Sequence, residues 1–386
     1  MDIQASTSSP AAQDHDGTCH VAIELSRSSW VVGAHSPLAD KIGLHKLAAG
    51  DHEGLVTLLS RLRRKAELRL GRAARMVSCY EAGYDGFWLH RVLAGHGIDN
   101  LVIDPASLQV NRRARRAKSD RIDATAMVRA LMAYERGEHQ VFSPVRVPGV
   151  EEEDAKRSHR ERRRLIRERV GHTNRIKGLL ALHGIYGFNP LRGDSFQRLD
   201  DLRTGGGRPL AARLKAEIAR QLKRLALVRE MIAEVEAARD AVVAAPTPSS
   251  AEEQKIRHLY RLKAVGPEIA TRLTREVFYR NFANRRQVAG YVGLCPSPFN
   301  SGKMVREQGI SKAGNPLARS TMIELAWLWL RHQPESALSH WFEERTGGAK
   351  GRLRRIMIVA LARKLLVALW RYTETGLIPD GAVLKA

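Results

Sequence analysis

From His20 onward the chain alternates apolar and polar positions with the two-residue period of strands. His20 to Leu25 is one such run, Ser26 to Ser29 a short polar turn, and Trp30 to Gly33 a second run. A third apolar stretch, Ile42 to Ala49, completes a predicted meander. Over residues 52–70 the period becomes helical, with Leu55, Leu58, Leu59 and Leu62 on one face. Met76 to Tyr80 reads as a buried strand, Gly86 to Ala94 as a helix, and Leu101 to Ile103 as a short strand closed by Asp104-Pro105. Ser119 caps a predicted helix that runs to about Tyr134.

The predicted order is therefore three strands, helix, strand, helix, strand, helix, which is the order of the ribonuclease-H-like fold. Beyond residue 150 the pattern is helical. Residues 151–180 are densely charged, and residues 213–238 carry a stripe of Leu214, Ile218, Leu222, Leu225, Val228, Ile232 and Val235. Steps of three and four along that stripe predict a coiled-coil seam. The Gly-rich run Thr204 to Pro209 is a loop, and Ala245 to Ser250 is a linker. The expected fold class is α/β plus α. Residues 1–19 form a disordered tail, 20–150 the ribonuclease-H-like domain, 151–245 a helical coiled-coil arm, and 255–380 a mainly α-helical C-terminal domain.

Charge adds a partner to this outline. The 386 residues hold 64 Lys and Arg against 41 Asp and Glu, a net charge of +23. Such a surface attracts polyanions, of which nucleic acid is the usual one. An anionic membrane is the other class, but no apolar run is long enough to span one, and no signal peptide is visible. Cys19, Cys79 and Cys295 have neither metal-ligand spacing nor the number needed for a disulfide framework. A reducing, cytoplasmic setting fits.

Four acids fall where the predicted fold would gather them. Glu24 lies near the end of the first strand, Glu81 follows the fourth, and Asp120 and Asp123 share one face at the start of a helix. Phosphodiester chemistry needs hard oxygen ligands for Mg2+, and clustered carboxylates in a basic protein suit that task. Acids in a first helical turn also favour the helix dipole without any metal. Asp85, Asp99 and Asp104 rank lower, because Asp104 precedes a proline in a turn and the other two read as loop residues.

Asn111 to Lys118, with Arg112, Arg113, Arg115, Arg116 and Lys118, is a cationic run just ahead of Asp120, suited to a phosphate backbone. Lys156 to Arg169 is basic but mixed with Glu161 and Glu168, and reads equally as a solvated helix. Arg345 to Arg371 is basic and amphipathic. Leu262 to Ala270 resembles half of a helix-hairpin-helix, with one glycine where two are usual. Tyr291 to Asn315 reads as a basic Gly/Pro/Ser-rich loop leading into a helix. Its Ser297, Ser301 and Ser311 are candidate nucleophiles, and Lys303, Arg306 and Lys312 are candidate phosphate holders.

The segments Cys79-Tyr80-Glu81-Ala82-Gly83-Tyr84-Asp85-Gly86-Phe87-Trp88 and Lys118-Ser119-Asp120-Arg121-Ile122-Asp123-Ala124 resemble those of the DEDD transposases. So does the run from Gly293 to Asn315, with its Gly-Leu-Cys-Pro, Ser-Gly and Ile-Ser-Lys-Ala-Gly-Asn elements. That family comprises recombinases of bacterial insertion sequences guided by a bridge RNA. The likeness covers nearly the whole chain after residue 19.

The resemblance implies a RuvC-like domain, a coiled-coil domain and a transposase domain. It implies Mg2+ bound by Glu24, Glu81, Asp120 and Asp123, and attack on DNA by Ser301 through a phosphoserine intermediate. It further implies a homodimer or homotetramer that shares active-site halves, and a noncoding guide RNA that selects donor and target DNA. Glu24 departs from the pattern, which has Asp there, and Glu places its oxygens about one bond further out. A hydrolytic RuvC-like junction nuclease would need the carboxylates but not Ser301. A catalytically inactive nucleic-acid-binding relic would need neither.

Overall fold

The computed structural model describes residues 17–109, 119–301 and 304–385. The chain divides into two compact units between Gly149 and Val150. Unit one is built on five strands: β1 (Thr18–Leu25), β2 (Ser29–His35), β3 (Gly43–Ala48), β4 (Arg75–Glu81) and β5 (Asp99–Ile103). Their order across the sheet is β3-β2-β1-β4-β5. The first three form an antiparallel meander, while β4 and β5 run parallel to β1. Asp99 thus opens a strand, where the sequence suggested a loop, and its carboxylate accepts from Arg75 Nε at 3.0 Å.

Strand alternation sends side chains to both faces of this sheet. Val21, Ile23, Trp30, Met76 and Tyr80 pack on one face with Leu55 and Leu59 of α1 (His52–Leu70) and Leu89 and Leu93 of α2 (Trp88–Gly95). Ala22, Val77, Cys79 and Ile103 pack on the other with Met127, Val128 and Leu131 of α3 (Asp120–Glu135). Ser119 caps α3, its hydroxyl accepting from the Ile122 amide at 3.4 Å.

Unit two is mostly helical. A short α4 (Val150–Asp154) precedes α5 (Arg157–Ala181), α6 (Ser195–Asp201) and the long α7 (Ala212–Ala244). Leu165 meets Val228 and Ile232, while Ile176 and Leu180 meet Ile218 and Leu222, so α5 and α7 lie antiparallel along the apolar stripe. Next come α8 (Ala251–Arg261), α9 (Pro267–Leu273), a π-helical turn (Thr274–Phe278) and α10 (Arg285–Val292). An antiparallel ribbon of β6 (Pro296–Ser301) and β7 (Met304–Ile310) leads to α11 (Pro316–His332), α12 (Ala337–Thr346) and α13 (Arg352–Thr375). Trp329, Phe342, Leu365 and Phe278 belong to the core shared by these helices. Among the described residues no helix is long and apolar enough to cross a membrane.

The ribbon corrects the expectation of a loop between Tyr291 and Asn315. Its prolines hid it: neither Pro296 nor Pro298 can donate to a ladder, and the pairing shifts register between them.

Gly33 in β2 is where α3 presses on the sheet. A Cβ there would lie 3.1 Å from Val128 Cγ2 and 3.2 Å from the Ala124 carbonyl oxygen. Gly33→Leu is expected to destabilise unit one by about 1–3 kcal/mol through overpacking, read as a lowered urea midpoint. An unchanged midpoint would mean that α3 yields freely there.

Candidate functional site

The four predicted acids of unit one lie toward one end of the sheet. The parallel register pairs Ile23 with Tyr80, and one further step sets Glu24 beside Glu81. Glu24 lies two residues beyond Ala22, and Glu81 two beyond Cys79, so both project from the face that α3 covers. Burial and the neighbouring Glu81 charge push the Cys79 thiol far above its ordinary range, in keeping with that shared face. Helix α3 runs against the strand direction. Glu135 at its end accepts from Arg75 at the start of β4, at 2.5 Å, and Ala124 near its beginning lies over Gly33.

Asp120 and Asp123 therefore lie toward the strand ends that carry Glu24 and Glu81. Asp120 is exposed, and Asp123, Glu24 and Glu81 are half-buried. Among the described residues, no three His, Cys, Asp or Glu side chains gather closely enough to hold a metal ion. Arg112, Arg113, Arg115, Arg116 and Lys118 lie outside the described residues. The sequence reading passed over Arg27 and Tyr84 at this same edge. The guanidinium sits 4.7 Å from the centre of the exposed ring, a pair that can face a base or a phosphate.

In unit two, the ribbon collects all three candidate serines. Ser297 and Ser301 are on β6, and the Ser311 amide, just past β7, donates to the Cys295 carbonyl at 2.8 Å. Ser301 and Met304 are register partners at the end of the ribbon. Arg306 pairs with Phe299 in β7, whereas Lys303 lies outside the described residues. Lys312 takes a positive φ of 57°, rare for a residue with a side chain. Arg319 Nη1 holds its carbonyl at 2.8 Å.

Two glycines lock the ribbon's root. A Cβ on Gly293 (φ 74°) would overlap the Ala313 carbonyl, and one on Gly314 (φ 81°) the Tyr291 carbonyl. Asn315 then caps α11, accepting from the amides of Leu317 and Ala318 at 3.0 and 3.1 Å. The helix-hairpin-helix resemblance falls on the α8–α9 turn, where Ala264 holds a positive φ of 76° and Gly266 precedes Pro267 at the start of α9.

A buried acid ties this root to the α5–α7 pair. Glu276 of the π turn, its side chain 2% exposed, accepts from His159 Nε2 at 2.7 Å and from Arg160 at 2.8 and 3.0 Å. It also accepts from Asn315 Nδ2 at 2.8 Å. Burial alone would raise its pKa; these donors and the Arg160 charge outweigh burial and lower it to about 2. Neighbours reinforce the joint: Arg275 donates to Ser158 at 2.9 Å, and the Lys156 ammonium sits 3.7 Å from the Tyr279 ring centre. Glu268 of α9 forms a second junction with Arg272 (2.6 Å), Arg239 of α7 (3.0 Å) and Arg162 of α5 (3.5 Å).

The description "Transposase IS116/IS110/IS902 family" matches residues 256–340, a span that includes Glu276, the ribbon and Asn315. The protein named "Putative transposase y4rJ" of Sinorhizobium fredii is 50% identical over 96% of this chain and 95% of its own. The "Transposase for insertion sequence element IS1111A" of Coxiella burnetii is 27% identical over 69% of this chain and 68% of its own. Both relatives carry the name transposase, the first as a putative one. The chain belongs to the IS116/IS110/IS902 family of insertion-sequence transposases.

The Glu276 junction has a pH signature. Its folded pKa, about 2, lies below the ordinary 4.5, so its stabilisation is complete above about pH 4.5 and fades as the pH falls toward 2. Glu276→Gln is expected to cost about 3 kcal/mol at neutral pH and to flatten this acid limb, measured by urea unfolding between pH 2 and 7. An acid limb of unchanged slope would assign the loss to other carboxylates.

Proposed function

We propose that this transposase cleaves and rejoins DNA with two sets of groups: a Mg2+-binding carboxylate face formed by Glu24, Glu81, Asp120 and Asp123, and a serine nucleophile, Ser301, on the β6–β7 ribbon. The observation that supports the reading is that Glu24 and Glu81 adjoin on one face of a β3-β2-β1-β4-β5 sheet, with the first turn of α3, which carries Asp120 and Asp123, toward the same strand ends. That order and mixed polarity support a ribonuclease-H-like, RuvC-like assignment for unit one. The donor set is all carboxylate, the hard-oxygen chemistry that Mg2+ takes. When bound, Mg2+ would supply positive charge to the phosphate oxygens. Glu24 in place of the family's Asp lengthens one ligand arm by a methylene.

In the serine step, Ser301 Oγ forms an ester bond to the scissile phosphorus, and the phosphorus–oxygen bond to the departing sugar breaks. The serine proton goes to a general base, and the departing oxygen leaves as a hydroxyl after taking a proton. The locked root at Gly293 and Gly314 supports this role by fixing where the ribbon leaves the helical core. Pairing of a noncoding guide RNA with donor and target DNA, a homodimer or homotetramer, and a coiled-coil role for the α5–α7 pair complete the reading, on the strength of the family resemblance.

The test is a covalent-adduct assay with Mg2+, donor and target DNA, and RNA transcribed from the element's noncoding flank. A protein–DNA adduct that survives denaturation is expected, lost in Ser301→Ala and reduced at least about 100-fold in Glu81→Gln. Cleavage without an adduct, indifferent to Ser301→Ala, would sink the serine step and leave a hydrolytic nuclease.

A further inference from the structure

Helix α5 buries one side against α7, through Leu165, Ile176 and Leu180, and exposes the other. The exposed stripe follows the three- and four-residue steps of one helical face: Arg160, Arg163, Arg167, Gly171, Asn174 and Gly178. It contains no acid. Arg160 is spoken for by Glu276, but Arg163 and Arg167, four residues apart, have neither a hydrogen bond nor an ion pair to an acid. Burial and then the cations of Arg167 and Arg272 lower the pKa of Arg163, against the smaller opposing pull of the Glu276 charge. Like charges spaced this way destabilise a helix unless an anion lies between them.

The glycines are the second oddity. Each costs an exposed helix stability relative to alanine. Neither has a neighbour to accommodate: a Cβ on Gly171 or Gly178 would meet nothing within 4 Å. Packing within the chain therefore does not call for them. A flush, partner-facing surface does, because it lets a backbone approach the helix.

We propose that this face of α5, ~27 Å long from Arg160 to Gly178, seats the sugar-phosphate backbone of double-stranded DNA. Arg163 and Arg167 grip phosphates at its inner end, close to the Glu276 junction, and Gly171 and Gly178 let the duplex lie close further out. Asn174 donates its amide between them. The seat carries no base-reading role; it positions a duplex.

Two variants of the full-length protein test the seat, with a random-sequence DNA duplex as the probe. Arg163→Gln/Arg167→Gln is expected to weaken binding at least roughly tenfold at 0.1 M salt and to reduce the salt slope by about two. Gly171→Leu/Gly178→Leu is expected to weaken binding while leaving the melting temperature equal or higher, since leucine favours the helix. That opposition of signs separates a lost seat from a damaged fold. Duplex affinity and salt slope unchanged in both folded variants would overturn the proposal. So would an unchanged duplex affinity with an altered subunit mass, which would give the face to a second copy. Weakened binding of an RNA stem alone would give it to RNA and overturn the proposal equally.

Discussion

The second unit is organised around a single buried negative charge. Glu276 sits among helices where a bare carboxylate would be untenable, so it must be surrounded by donors, and those donors come from distant parts of the chain. His159 and Arg160 bring the first turns of α5, and Asn315 brings the segment that ends the ribbon and starts α11. Asn315 does two jobs with one side chain: its oxygen caps α11 and its amide nitrogen reaches Glu276. The root of the serine-bearing ribbon and the start of α5 are thus tied to the same two carboxylate oxygens.

The first unit works by register rather than by one hub. A mixed sheet whose central strands run parallel sends β1, β4 and β5 out at the same end, and an antiparallel α3 returns its first turn toward that end. Acids far apart in the chain then share one edge without any of them being buried. They are exposed or half-buried, in contrast with Glu276, whose carboxylate is enclosed by its donors. The two kinds of acid are distinguishable by burial.

Much of this was legible beforehand where the signal is local. Period-two runs at His20 and Trp30, the Leu55–Leu62 face and the Ser119 cap each depend on residues a few positions apart, and the elements formed where those signals lie. The apolar stripe expected from Leu214 to Val235 lies on α7, where it packs against α5. The ribbon was concealed by Pro296 and Pro298, whose turn-like composition outweighs a strand pattern that survives only through a register shift. Glu276 was illegible because its partners lie 39, 116 and 117 residues away, and nothing local distinguishes it from any other helical glutamate. Gly33 and Gly314 show the same limit, since what excludes a side chain there is a backbone brought in by the fold.

Glu276 couples the start of α5 to the root of the ribbon. Hydrogen exchange on full-length Glu276→Gln, at a denaturant-free neutral pH, tests it most directly. Amides of residues 157–163 and 315–319 are expected to lose protection together, while those of α13 keep theirs. Loss confined to the π turn, with both distant segments as protected as in the parent chain, would contradict it.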